Sequence, residues 1–179
     1  MVGGRGAVVA LSSLLLVGSS WMWSPAGQAG QAHTGRHEEA VLCTGTSEST
    51  YDPPLTLTPH ETHVRIKARY ACTVGPGPAT GSLEGVSPEA SCLGLANPHI
   101  TETVKYADGR RSLIRYDSGT TVRATDVQIV TLSGRVTEGL GKGQAARRTV
   151  AALSGQLPTN CLSSGLTMSS GGAQLEIRP

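Results

Sequence analysis

The sequence predicts an all-β domain, an antiparallel β-sandwich of the immunoglobulin-like kind held by two disulfides, with a small β-barrel as the alternative. Three observations carry this: side chains alternate with period two far more often than with period 3.6, turn signals recur about every ten residues, and Ser, Thr and Gly are abundant. The strongest single signal is "HVRIKARYAC", His63 to Cys72. Val64, Ile66, Ala68, Tyr70 and Cys72 fall on one face, and Arg65, Lys67 and Arg69 on the other, the pattern of a strand with one side buried.

The elements follow in chain order. The first twenty-nine residues read as an export signal: Arg5, an apolar stretch from about Ala7 to Trp23, then small residues that place cleavage after Ala29 or Ala32. The apolar stretch is shorter than the ~20 residues a span requires and contains serines, so no membrane span is expected in the mature chain. Residues 30–40 read as a polar leader that is expected to be flexible, and residues 41–179 as a single domain. "VLCTGTSEST" begins the first strand. Pro53 and Pro54 lack amide donors and steer the chain into an extended, turning connection, after which pairing resumes at Leu55 and Leu57. "ITETVKYADGRRSLIRYDSGTTVRA" reads as hairpins. A two-residue turn at Asp108-Gly109 would place Glu102 opposite Arg115. "VQIVTL", "GRV" and "AQLEI" continue the β pattern. Residues Ala145 to Leu153 fit either a helix, with Ala146, Val150 and Leu153 on one face and Gly155 as its stop, or a strand.

Charge argues against a polyanionic partner. The chain has fifteen Lys and Arg and thirteen Asp and Glu; losing Arg5 with the signal leaves fourteen against thirteen. The basic doublets Arg110-Arg111 and Arg147-Arg148 read as solvated turn or strand-edge residues, and no nucleic-acid interface is predicted.

Cys43, Cys72, Cys92 and Cys161 all lie in the mature part, and an even count in an exported chain predicts two disulfides. Of the three possible pairings, Cys72 with Cys92 and Cys43 with Cys161 are expected. The first would close the excursion "TVGPGPATGS", and the second would tie the first strand to the end of the domain. Cross-links matter because the mature chain has no Phe and no Trp, so burial depends on Val, Leu, Ile, Ala and its four Tyr.

Catalytic signals are sparse. G-x-S-x-G, S-x-x-K and H-E-x-x-H are absent. "HETH", His60 to His63, is one residue short of a helical metal pair, and on a strand its histidines point to opposite faces. Asp108 and Asp117 have a sufficient role as turn residues. No catalytic residue, metal site or cofactor is predicted. Triads assembled from distant positions keep a secreted hydrolase as an alternative.

Several features together resemble a group of small secreted proteins of high-GC Gram-positive bacteria. They are the Cys-x-Gly at Cys43, the tyrosine-proline run into "LTLTP", the later cysteine pair, "YADGRRS", and "SGRVTEGLGKGQ…CLSSGLTMSSGGAQLEI". The resemblance spans nearly all the mature chain. It implies an exported all-β domain with two disulfides and no assigned activity, and it favours a strand at Ala145 to Leu153. Cys43 with Tyr51-Asp52-Pro53 also echoes the reactive loop of secreted subtilisin inhibitors, which makes Ser47, Glu48, Ser49, Thr50 and Tyr51 a candidate interaction loop. The leading expectation is a secreted, non-enzymatic structural or binding module for an extracellular protein or cell-envelope component, with a protease inhibitor as the alternative.

Overall fold

The computed structural model describes residues 40–75, 77–124, 127–153 and 157–179. The expected export signal, and the polar leader up to residue 39, lie outside these residues.

The described residues form nine strands and one short helix: β1 (Val41–Leu55), β2 (His60–Cys72), β3 (Pro78–Ser91), β4 (Gly94–Ala96), β5 (His99–Lys105), β6 (Arg111–Ala124), β7 (Val127–Gly139), β8 (Ala145–Leu153), α1 (Leu157–Leu162) and β9 (Leu166–Arg178). Each long strand pairs antiparallel with the next, β4 is a short hairpin addition to β3, and β9 returns to pair with β1. The result is a closed eight-stranded antiparallel barrel. The all-β expectation holds, and the barrel alternative replaces the sandwich. Alternation specifies one buried face per strand but is the same whether that face meets a second sheet or the far wall of its own sheet. Closure is helped where backbones approach closely: a Cβ at Gly45 would overlap the Arg69 carbonyl, and one at Gly134 the Arg115 carbonyl.

The inward faces form one core. On β2 it takes Val64, Ile66, Ala68 and Tyr70, as the alternation predicts, while Arg65, Lys67 and Arg69 are exposed. Other strands add Leu83, Ile100, Val104, Ile114, Tyr116, Val136, Leu175 and Ile177. The ambiguous segment Ala145–Leu153 is strand β8, paired on both sides by β7 and β9, so the ladder supplies partners that an isolated helix would have to find internally.

Two expectations are corrected. The disulfides are Cys43–Cys72 and Cys92–Cys161, not Cys72–Cys92 and Cys43–Cys161. Cys43 and Cys72 are direct cross-strand partners of β1 and β2. β3 begins at Pro78, six residues after Cys72, and carries the chain through its fourteen residues, roughly 45 Å of strand, before reaching Cys92 near the opposite end of the barrel. The hairpin between β5 and β6 also differs. Lys105 pairs with Arg111, and Tyr106 N–H donates to the Arg110 carbonyl, leaving three turn residues with Gly109 at φ 84°. Glu102 therefore pairs with Ile114, while Arg115 opposes Thr101. Glu102 points into the barrel and makes no cross-strand pair with Arg115.

Candidate binding site

At mid-barrel, five strands send polar side chains to one point. Ile100, Glu102 and Val104 alternate inward on β5, which commits a carboxylate to the lumen. Three strands around the wall, Ala146, Arg148 and Val150 alternate inward on β8. Glu102 and Arg148 are both fully buried and form an ion pair, Arg148 Nη1 donating to Glu102 Oε1 at 3.1 Å. Tyr70 of β2 donates to the same oxygen at 3.0 Å, and Tyr116 of β6 to Oε2 at 2.6 Å. Arg148 Nη2 donates to Ser47 Oγ of β1 at 3.0 Å, and its guanidinium carbon lies 5.6 Å from the centre of the Tyr70 ring. Gly81 of β3 makes room for this cluster, since a Cβ there would lie 2.6 Å from Glu102 Oε1 and 2.9 Å from the Tyr70 ring.

Burial sets the electrostatics. It pushes the Glu102 carboxyl from 4.5 up to about 7, opposed by the Tyr116 hydrogen bond. The adjacent guanidinium also favours the ionised form. Burial lowers Arg148 to about 10, so it stays cationic at neutral pH. Tyr116 is pushed well above its ordinary value by burial and then by the Glu102 charge. Two opposite charges taken out of water need close pairing and further hydrogen bonds to offset desolvation, and the two tyrosines and Ser47 supply these bonds. A guanidinium has five N–H donors. Arg148 Nε is buried and finds no acceptor among the described residues.

Arg148 also lines a cavity of about 50 Å³ at one end of the barrel. The wall is largely apolar, with Leu55, Ile66, Leu95, Leu132, Val150 and Leu166. Its polar groups are mostly engaged with one another: Tyr51 bonds Ser169, Gln128 Nε2 donates to the Cys92 carbonyl, and Ser91 Oγ accepts the Leu93 amide. Cys92 lies in the same wall, so the Cys92–Cys161 disulfide ties α1 to this end. Exposed apolar side chains gather there too. Leu57 lies between β1 and β2, Leu93 between β3 and β4, Val122 at the end of β6, Leu162 at the end of α1, and Met168 at the start of β9. The opposite end is closed differently. Leu140 packs on the core there, and its carbonyl accepts the Ser112 hydroxyl, which in turn bonds Tyr106.

The candidate loop Ser47 to Tyr51 is an interior stretch of β1, paired with β2 on one side and, as far as Thr50, with β9 on the other. It does not protrude, because both backbone edges are used in the barrel ladder. Its side chains alternate: Glu48 and Thr50 face solvent, Ser47 meets Arg148, and Ser49 and Tyr51 line the cavity. Arg147 is exposed as expected, but Arg148 is fully buried, which corrects the solvated reading of that doublet. Both charges of the pair were marked in the sequence by their neighbours. Glu102 occupies the inward register of Ile100, Val104 and Tyr106, and Arg148 that of Ala146 and Val150. Among the described residues, no group of three or more His, Cys, Asp or Glu could hold a metal ion, and no helix is long and apolar enough to cross a membrane.

The chain matches no protein-family model, no curated protein and no solved structure.

Proposed function

We propose that the chain is an exported, non-enzymatic binding module that receives a small, largely apolar ligand at one mouth of its barrel. The observation that carries this reading is a coincidence of place. The apolar cavity and the exposed Leu57, Leu93, Val122, Leu162 and Met168 belong to the same end of the barrel. Eight strands enclose an interior that is either filled by side chains or left with room for one small ligand. Here Leu140 packs on the core at one end and its carbonyl accepts the Ser112 hydroxyl, while the other end keeps a cavity of about 50 Å³. Exposed apolar residues scattered singly need no explanation, but five of them gathered at the end that holds the cavity fit a site of entry and contact. Two disulfides, and an N-terminal stretch that reads as an export signal, support an oxidising destination outside the cytoplasm.

The test is a titration of isotopically labelled protein with small apolar molecules, followed by amide chemical shifts. Shifts confined to the neighbourhood of Ile66, Leu95, Leu132, Val150 and Leu166 are expected. Val150→Phe fills the cavity and should abolish them while the barrel stays folded. Shifts centred on the Leu140 end, or binding untouched by Val150→Phe, would defeat the proposal.

A further inference from the structure

Resting on that reading of the mouth, we propose that the ligand is uncharged, with a narrow aliphatic body and one carbonyl acceptor, and that it enters carbonyl first to take the hydrogen of Arg148 Nε. Three observations converge on this chemistry. Arg148 is fully buried, lines the cavity, and has on Nε a donor with no acceptor among the described residues. A buried donor left unmet is costly, so an incoming acceptor gains more there than it would at the surface.

The second observation is charge. The Arg148 cation is already balanced by Glu102 at 3.1 Å, so the cluster as a whole is neutral when both groups are ionised. A carboxylate ligand would bring a second negative charge into the same poorly solvated interior, beside Glu102, with no second cation to meet it. A ketone, ester or amide supplies the acceptor without the charge.

The third is shape. A volume of about 50 Å³ admits a carbonyl and the carbons next to it, since an engineered apolar cavity that takes benzene is about three times larger. The rest of the molecule must run outward, where Leu57, Leu93, Leu162 and Met168 offer apolar surface. Polar end inward and apolar tail outward is the orientation that satisfies both ends.

The experiment compares 2-hexanone, hexanoate and n-hexane on the same protein at pH 8, by amide-shift titration at matched free concentrations. The ketone should bind about tenfold more tightly than either of the others. In Glu102→Gln the balancing charge is gone and Arg148 remains cationic, so the order of ketone and carboxylate should reverse. Hexanoate binding as tightly as the ketone to the unmodified protein, or hexane doing so, would overturn the carbonyl assignment and leave the mouth as a binding site. An unchanged order in Glu102→Gln would overturn the charge argument. Failure of all three probes to shift any cavity amide would remove both this inference and the proposed function.

Discussion

The buried Glu102–Arg148 pair makes the stability of the barrel depend on pH in a direction opposite to that of an ordinary surface carboxylate. Burial raises the Glu102 carboxyl from 4.5 to about 7 in the folded chain. Between these values the unfolded chain has released a proton that the folded chain still holds. This contribution to stability is therefore fully present below about 4.5 and is lost as pH rises through about 7. Across that gap, at about 1.4 kcal/mol per pH unit, the loss amounts to about 3 kcal/mol. The groups that face Glu102 are Tyr70 from β2, Tyr116 from β6 and Arg148 from β8, with Tyr106 feeling its charge. The assay is urea denaturation of the unmodified protein and of Glu102→Gln at intervals from pH 4 to pH 9. Subtracting the two curves removes the contribution of every other titrating group. The difference should fall by about 3 kcal/mol and level off above about pH 8. Arg148→Met removes the cation that favours ionised Glu102, so its decline should continue past pH 8. A difference curve that is flat, or that rises with pH, would refute the buried-pair reasoning.

Other outcomes follow from the same geometry. Peptide mapping without reduction should link Cys43 to Cys72 and Cys92 to Cys161, and a Cys72–Cys92 peptide would contradict the barrel register. Replacing Cys92 and Cys161 together by Ser frees a loop of 69 residues, with a loss of roughly 4 kcal/mol in the chain-entropy model, read as a lower denaturation midpoint. Gly81→Ala sets a methyl against Glu102 and Tyr70 and should cost about 1–3 kcal/mol in the same assay. Tyr51→Phe removes the 2.9 Å bond to Ser169 in the cavity wall and should cost about 1 kcal/mol.

Much of the local structure was legible because alternation is a local property. Val64, Ile66, Ala68 and Tyr70 declare the inner face of β2 with no knowledge of what lies opposite, and the closing "AQLEI" does the same for β9. The site was half legible. Ser47, Ser49 and Tyr51 were singled out and do reach the barrel interior, but as inward residues of a doubly paired strand, not as the tip of a loop. By sequence Glu102 reads as a cross-strand partner of Arg115 and Arg148 as a solvated residue, because a charged residue at an inward position is normally an interruption of the pattern. It becomes a buried pair only when another strand brings the opposite charge.

What the sequence determined by itself is the β class, the buried face of the clearest strands, and a cysteine count suited to two cross-links. Each of these depends on residue type and on spacing along a few residues. Only the tertiary structure decided that the sheet closes on itself, which cysteines meet, and that Glu102 and Arg148 share the lumen. Each of these depends on which strand lies beside or across from which, and that follows from the return of β9 to β1 across more than a hundred residues. Closure then turns five unremarkable positions, Ser47, Tyr70, Glu102, Tyr116 and Arg148, into one cluster that is neutral when both charged groups are ionised and in which Arg148 Nε finds no acceptor among the described residues.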